Sequence, residues 1–365
     1  IGTGGRGNFI AKLFQAHGGF EIHAGADYFQ DRLDTFGKNF GVPAERLFPT
    51  LSGYKKLIES GVEAVAIESP PYFHPEQAAA AVAAGLHVYV AKPIAVDVPG
   101  CLSIAESGRA AGAAGKVFLV DFQTRAVDCY TTALSRVREG ALGDFCFGES
   151  IYHAGFPFAT QSEALAKDPG NAELKLRAWG VSRELSGDII TEQNIHTLDV
   201  MSWIMDAEPV SACGTGGHKV RQDPGNCRDH FACLYKYPDG VGINFSSRQF
   251  NAHGTQPEGI RNRMFGSKGV LETKYGGNVL IRGEDSMKPM STPAIYKVGV
   301  QNNIKTFHES IMAGKVDNPT VAPSVRSNLV SVLGRLAADR GGEVTWSEMI
   351  QKADMVEYDF AGLKA

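Results

Sequence analysis

The feature that most constrains this chain is an alternation of short apolar runs with helical patterns, from its start to about Val120. Phe20–Ala26 reads as a strand and Tyr28–Phe40 as a helix. Ala64–Glu68 is an apolar run bounded by turn residues, and His74–Ala84 is alanine-rich and helical. His87–Ala91, Val98–Ala111 and Val117–Val120 continue the series as strand, helix and strand. Parallel strands need crossovers of about a dozen residues, so strands spaced by helices imply βαβ units and a parallel sheet. The expected class is α/β, doubly wound over residues 1–122.

The pattern changes beyond Asp121. A helix at Tyr130–Glu139 leads into a strand at Phe145–His153, and Gly155–Lys175 reads as polar and irregular. Ile190–Met205 is strongly helical. From Val210 strands follow one another: Phe231–Tyr237, the turn Pro238-Asp239-Gly240, then Val241–Arg248, Arg261–Phe265, Gly269–Thr273 and Asn278–Ile281. Helices at Gln301–Ala313 and Ser324–Arg340 close the chain. Residues 123–365 are therefore expected to form an α+β domain on an open, mostly antiparallel sheet, its last helices packing back on the first domain. A length of 365 residues suits two such cores.

Composition narrows the partners. Apolar residues are 43% and charged residues 21%, with a net charge of −4 and no Lys/Arg block, which argues against nucleic acid. No apolar run reaches the ~18–20 residues of a membrane span. The six cysteines contain no C-x-x-C pair and read as reduced structural thiols. A small-molecule partner and a cytoplasmic location are the expectation. The sequence begins at Ile1 directly on a glycine-rich turn, where a dinucleotide fold needs about five or six apolar residues. The natural N-terminus is thus expected to extend further, and any export signal would lie there.

Gly2-Thr3-Gly4-Gly5-Arg6-Gly7 fits G-x-G-x-x-G and runs into an apolar-periodic helix (Phe9, Ile10, Leu13, Phe14). Glycines let the backbone turn tightly against a pyrophosphate, which then meets the free N–H groups and positive end of the helix. Asp27 follows Gly7 by twenty residues, where a carboxylate accepts hydrogen bonds from the adenosine ribose. It repels a 2′-phosphate, so NAD is expected over NADP. Arg32, a turn later, softens that preference.

Four stretches together resemble the Gfo/Idh/MocA family of oxidoreductases along nearly the whole chain. They are GTGGRG, SPPYFH (Ser69–His74), AKP (Ala91-Lys92-Pro93) and ELSGDIITEQNIHTLDVMSWIM (Glu184–Met205). The resemblance implies a Rossmann domain followed by an open-faced sheet domain, a nicotinamide between the two, and subunits associating through that sheet. It also implies that the lysine of an E-K-P element and a D-x-x-x-H pair handle a substrate hydroxyl. Two positions depart from that pattern: Ala91 stands where the family has glutamate, and Glu192 stands where it has aspartate.

Oxidation of a secondary alcohol needs a base for the hydroxyl proton and a cation near the developing alkoxide. His196 has a suitable ordinary pKa for the base. Glu192, four residues earlier, would share its helix face and orient it, with Asp199 one turn further on. Lys92 is expected at the carboxyl edge of the sheet, where open α/β folds bind ligands. Lys92 or His196 is the formal base; the sequence does not choose. Ser69, Pro70, His74, Ala91 and Gln123 are expected beside the cofactor, with Lys92. Arg125 is expected at the nicotinamide or substrate. Trp179 is expected to stack on a sugar or the nicotinamide, and Tyr152, His153 and Arg248 to meet hydroxyls. No metal is expected, since Glu192 and His196 with His153, His230, His253 or His308 make no compact ligand set.

These expectations favour an NAD-dependent dehydrogenase for a sugar, polyol or glycoside, with 3-oxidation of a glycoside ring as one specialisation. The alternatives are a redox-neutral glycosidase or lyase that oxidises the ring transiently, and a dinucleotide-sensing regulator. A homo-oligomer is expected through the second-domain sheet.

Overall fold

The first strands lie parallel, as their spacing by helices requires. The structure, a computed structural model, describes residues 1–251 and 259–365. Strands β1 (Gly25–Ala26) and β2 (Leu47–Phe48) form one parallel pair; β3 (Ala64–Ile67), β4 (His87–Ala91) and β5 (Phe118–Asp121) form a second parallel ladder in that order. Ile1 and Gly2 bridge them: Ile1 N donates to Ala66 O, Glu68 N to Ile1 O and Gly2 N to Ala26 O. Helices α1 (Gly5–His17), α2 (Gln30–Phe40), α3 (Gly53–Ile58), α4 (His74–Ala83) and α5 (Val98–Ala113) supply the crossovers. The strand expected over Phe20–Ala26 is only Gly25–Ala26, because a strand exists by its ladder partners rather than by apolar sequence alone.

Beyond α6 (Asp128–Arg138) the chain builds a larger sheet. Its strands are β6 (Phe145–Ala154), β7 (Ser211–Gly217), β8 (His230–Lys236), β9 (Gly242–Gln249), β10 (Gly259–Gly266), β11 (Gly269–Lys274), β12 (Asn278–Gly283), β13 (Met287–Ser291) and β14 (Glu343–Thr345). The spatial order is β13-β12-β11-β10-β6-β9-β8-β7-β14, and every pairing is antiparallel except β6 with β9. The sheet is therefore mixed and mostly antiparallel, following a parallel Rossmann-type domain.

Two readings of helix content need correction. Gly155–Lys175 is not irregular, for it contains most of α7 (Ala159–Lys167) and α8 (Ala172–Arg177). Asn171 caps α8 by accepting from Leu174 N, and Leu165 and Leu176 are the buried anchors that its polar composition concealed. After α9 (Arg183–Ser186), the helix expected over Ile190–Met205 is two pieces, α10 (Ile189–Glu192) and α11 (Ile195–Met205). At the joint Asn194 N donates five residues back to Ile189 O, and His196 N only three back to Gln193 O. A bond of i→i−5 followed by i→i−3 interrupts the 3.6-residue repeat.

The last helices are α12 (Ile295–Ala313), α13 (Val321–Arg340) and α14 (Trp346–Lys352). α13 is buried along most of its length and touches both halves. Its Asn328 accepts from Ile94 N (3.1 Å) and donates to Ala95 O (3.1 Å), just past Lys92. One position away Ser327 donates to Asp199 (2.7 Å), and Ser331 contacts Thr191 (3.1 Å). One helical turn thus fixes the segment after β4 against α10 and α11. Asn318 and Thr320 accept from Phe118 N and Val120 N, covering the free edge of β5.

Candidate functional site: a dinucleotide groove and an interdomain seam

The glycine turn is built for close approach. Gly2 has a φ of +81°, and a Cβ at Gly7 would lie 1.9 Å from the Gly2 carbonyl oxygen. Only hydrogen fits between turn and helix. Gly4 caps α1 without any side-chain bond, and around Gly5 nothing lies within 4 Å of a Cβ. The first N–H groups of α1 therefore face an open groove, as an anion seat requires. Asp27, 9% exposed, accepts from Thr3 N (2.8 Å) and Phe29 N (3.0 Å) at the groove's far end. Arg32 stands 3.8 Å from it, with its guanidinium 4.7 Å from the Phe29 ring centre. Ser69 and Pro70 line the same groove.

Behind the turn lies a buried polar row. β4 and β5 pair Ala91 with Asp121, and Ile67 pairs with Val90, so Glu68 falls beside Ala91 on the next rung. Paired positions share a face, which is the face under Arg6. Arg6 donates to Asp121 (2.6 Å) and stands 3.4 Å from Glu68. Gln123 and Asn303 also donate to Asp121 (2.7 and 2.8 Å), leaving the buried Gln123 Oε1 without a partner. The small Ala91 side chain leaves Arg6 between two acids.

Lys92, next to this row, crosses to the other half. Its Nζ donates to the Glu192 carbonyl (2.8 Å) and stands 3.9 Å from the Glu192 carboxylate. Burial pushes the Lys92 ammonium below its ordinary range, against the pull of Glu192. His196 is pushed well below its ordinary value by burial, then by the positive charges of Lys92 and Arg6, so its imidazole is neutral. Tyr275 (ring centre 6.2 Å from that of His196) is pushed up to about 12 by burial. Tyr152 is also buried, and both burial and the nearby Glu192 charge raise its phenol.

Several expected positions differ. Glu192 and His196 do not lie on one continuous helix, because the α10–α11 joint separates them; Glu192 contacts Lys92, and His196 lies near enough to feel its charge. Buried Asp199 and half-buried Arg125 form a pair (2.9 Å) closed by Ser327, with the guanidinium over Trp203. Arg125 Nε and Nη2 are engaged there. Trp179 lies at the Asp27 end of the groove with Phe158 (ring centres 5.7 Å apart) and Arg177, rather than at the seam. His74 is 1% exposed, its ring nitrogens on Ser69 O (2.7 Å) and Pro93 O (2.8 Å). It ties the SPPYFH turn to the Lys92 turn, and burial lowers its pKa to about 4. Alternation along β6 puts Tyr152 on the inner face and His153 on the outer, where Arg248 pairs with it in register. His253 lies outside the described residues; among those described no three His, Cys, Asp or Glu side chains are grouped to hold a metal. The six cysteines are unpaired.

Sequence reasoning passed over Glu68, Tyr275, Phe158 and Arg177. The first carried a signal: an acid closing the apolar run Ala64–Ile67 stands at the sheet's ligand edge.

Comparison with known proteins decides the family. Residues 1–122 match the family model described as "Oxidoreductase family, NAD-binding Rossmann fold", and residues 130–272 match "GFO/IDH/MocA C-terminal domain". The chain belongs to the Gfo/Idh/MocA family of oxidoreductases. It is an enzyme of that class, with an NAD-binding domain. Among curated proteins it is 22% identical to 1,5-anhydro-D-fructose reductase of Ensifer adhaerens over 260 residues (68% of this chain, 69% of the relative). It is 25% identical to inositol 2-dehydrogenase of Azotobacter vinelandii over 328 residues (88% and 87%). Among solved structures, levoglucosan dehydrogenase in complex with NADH and levoglucosan shares the fold (TM-score 0.73, 17% identity, 94% and 97% covered). Among the described residues no helix is long and apolar enough to cross a membrane.

Proposed function

We propose that this chain is an NAD-dependent dehydrogenase of a secondary alcohol on a sugar, polyol or glycoside, and that Lys92 exchanges the hydroxyl proton. The observation that carries the reading is the Lys92–Glu192 contact across the seam. Named relatives that act on an anhydrosugar, inositol and levoglucosan support the substrate class, and ring 3-oxidation of a glycoside is one form it takes.

The glycine turn, Ser69 and Pro70 would hold the dinucleotide's pyrophosphate side, and Asp27 its adenosine ribose; Trp179 would stack at that end. Asp27 disfavours a 2′-phosphate. When bound, NAD supplies the two-electron acceptor for the carbinol C–H. Lys92 as the free amine accepts the hydroxyl proton, so oxidation quickens as pH rises through its lowered pKa. Glu192 holds the resulting ammonium, and neutral His196 hydrogen-bonds the same oxygen. Tyr152 and Tyr275 close the seam against water. The outer sheet face, where half-exposed Phe147 stacks on Phe265 (4.5 Å), would join subunits.

The test is reduced-nicotinamide absorbance with NAD and a panel of cyclitols, aldoses and methyl glycosides. Sustained NADH formation with at least one is expected. No net NADH from any, with a glycoside cleaved instead, would replace this reading with the redox-neutral one.

A further inference from the structure

Glu68 takes no part in the reaction proposed above, yet it lies under the glycine turn. Its side chain is 2% exposed and neither carboxylate oxygen has a hydrogen-bond partner. The shorter contact of Arg6 goes to Asp121 (2.6 Å), and Arg6 Nε stays 3.4 Å from Glu68. Gly2 packs on the Glu68 backbone, and a Cβ at Gly7 would be 3.8 Å from Glu68 Cβ. Glu68 lines the same groove as Gly4 and Gly5. An ionised carboxylate would stand beside the seat of a pyrophosphate with little water to screen the repulsion. A protonated carboxyl would instead donate toward it.

We infer that Glu68 takes up a proton from solvent when a dinucleotide seats, coupling cofactor affinity to pH through this one carboxyl. The inference rests on the reading that the groove holds NAD. The charged and titratable side chains around Glu68 are Arg6 from α1, Asp121 from β5, and Tyr89 and Lys92 from β4 and its turn. α12 contributes uncharged Asn303, on Asp121, and Tyr296, under Arg6. Burial pushes Glu68 up to about 7, Arg6 pulls it down and Asp121 pushes it up. Below about pH 7 Glu68 is already protonated, so binding takes up nothing; above it, binding must add the proton and weakens as pH rises. Lys92 faces the cationic end of NAD and would lose a proton, the opposite sign, while His196 is already neutral.

Calorimetric titration of NAD into the full chain, in phosphate and in Tris, counts the protons. Uptake is expected to approach one per NAD at pH 8 and to vanish at pH 6, with Kd rising roughly tenfold between pH 7 and 8.5. Glu68→Gln cannot ionise and keeps a donor, so its Kd should be flat over that range and its uptake lost. Equal uptake in Glu68→Gln, weaker binding at every pH with the slope kept, or no uptake by the unaltered chain at pH 8 each overturns the inference while the NAD reading stands. No NAD binding at any pH overturns both. If Glu68→Gln does not fold, the unaltered chain's proton count decides.

Discussion

The groove and the seam are made in different ways. The groove is mostly backbone: a left-handed glycine, a helix start and a strand end, drawn from a short stretch near Ile1 and closed by the β3 edge. The seam is side chains from positions 100 residues apart, Lys92 and Glu192, held by Asn328, Ser327 and Ser331 on one turn of α13. The groove should therefore be intolerant of added atoms, and the seam of lost ones.

That contrast can be broken at either end. The largest effect is expected from Gly7→Ala, whose methyl would overlap the Gly2 carbonyl at 1.9 Å. NAD affinity should fall on the order of a hundredfold or more while circular dichroism shows the fold retained. Unchanged affinity would mean that the turn is not the anion seat. A smaller effect separates the seam's two candidate bases. His196→Asn should slow hydride transfer about tenfold through a lost hydrogen bond. It should leave the acidic limb of the pH–rate profile in place, because the imidazole is already neutral there and the limb follows Lys92. A limb that disappears with His196 would move the base to the imidazole.

How much could be read beforehand follows the same contrast. The glycine turn, Asp27, and the edges of β4 and β5 were legible because each is a local pattern with a local cause. Lys92 and His196 were legible only as members of motifs. Their placement about Glu192 depends on the α10–α11 joint, which no periodicity announces, since Glu192 and His196 keep a helical spacing in sequence while the backbone between them changes register. Arg125 and Trp179 are hard to place from sequence for a related reason. A charged or aromatic residue near a site motif reads as a site residue, and only tertiary partners such as Asp199 or Phe158 show where it goes. The short β1 shows the limit from the other side, since Phe20–Ala24, apolar at alternate positions, lacks the ladder that would make it a strand.

The central claim is that Lys92 moves the hydroxyl proton at the seam without being needed to hold the cofactor. It is tested most directly by single-turnover NADH formation in Lys92→Ala, alongside calorimetric NAD binding, using the most active compound of the panel. Lys92→Ala should bind NAD within a few-fold of the unaltered chain and form NADH at least about a hundredfold more slowly. A variant that turns over at the original rate, with the original pH profile, would contradict it.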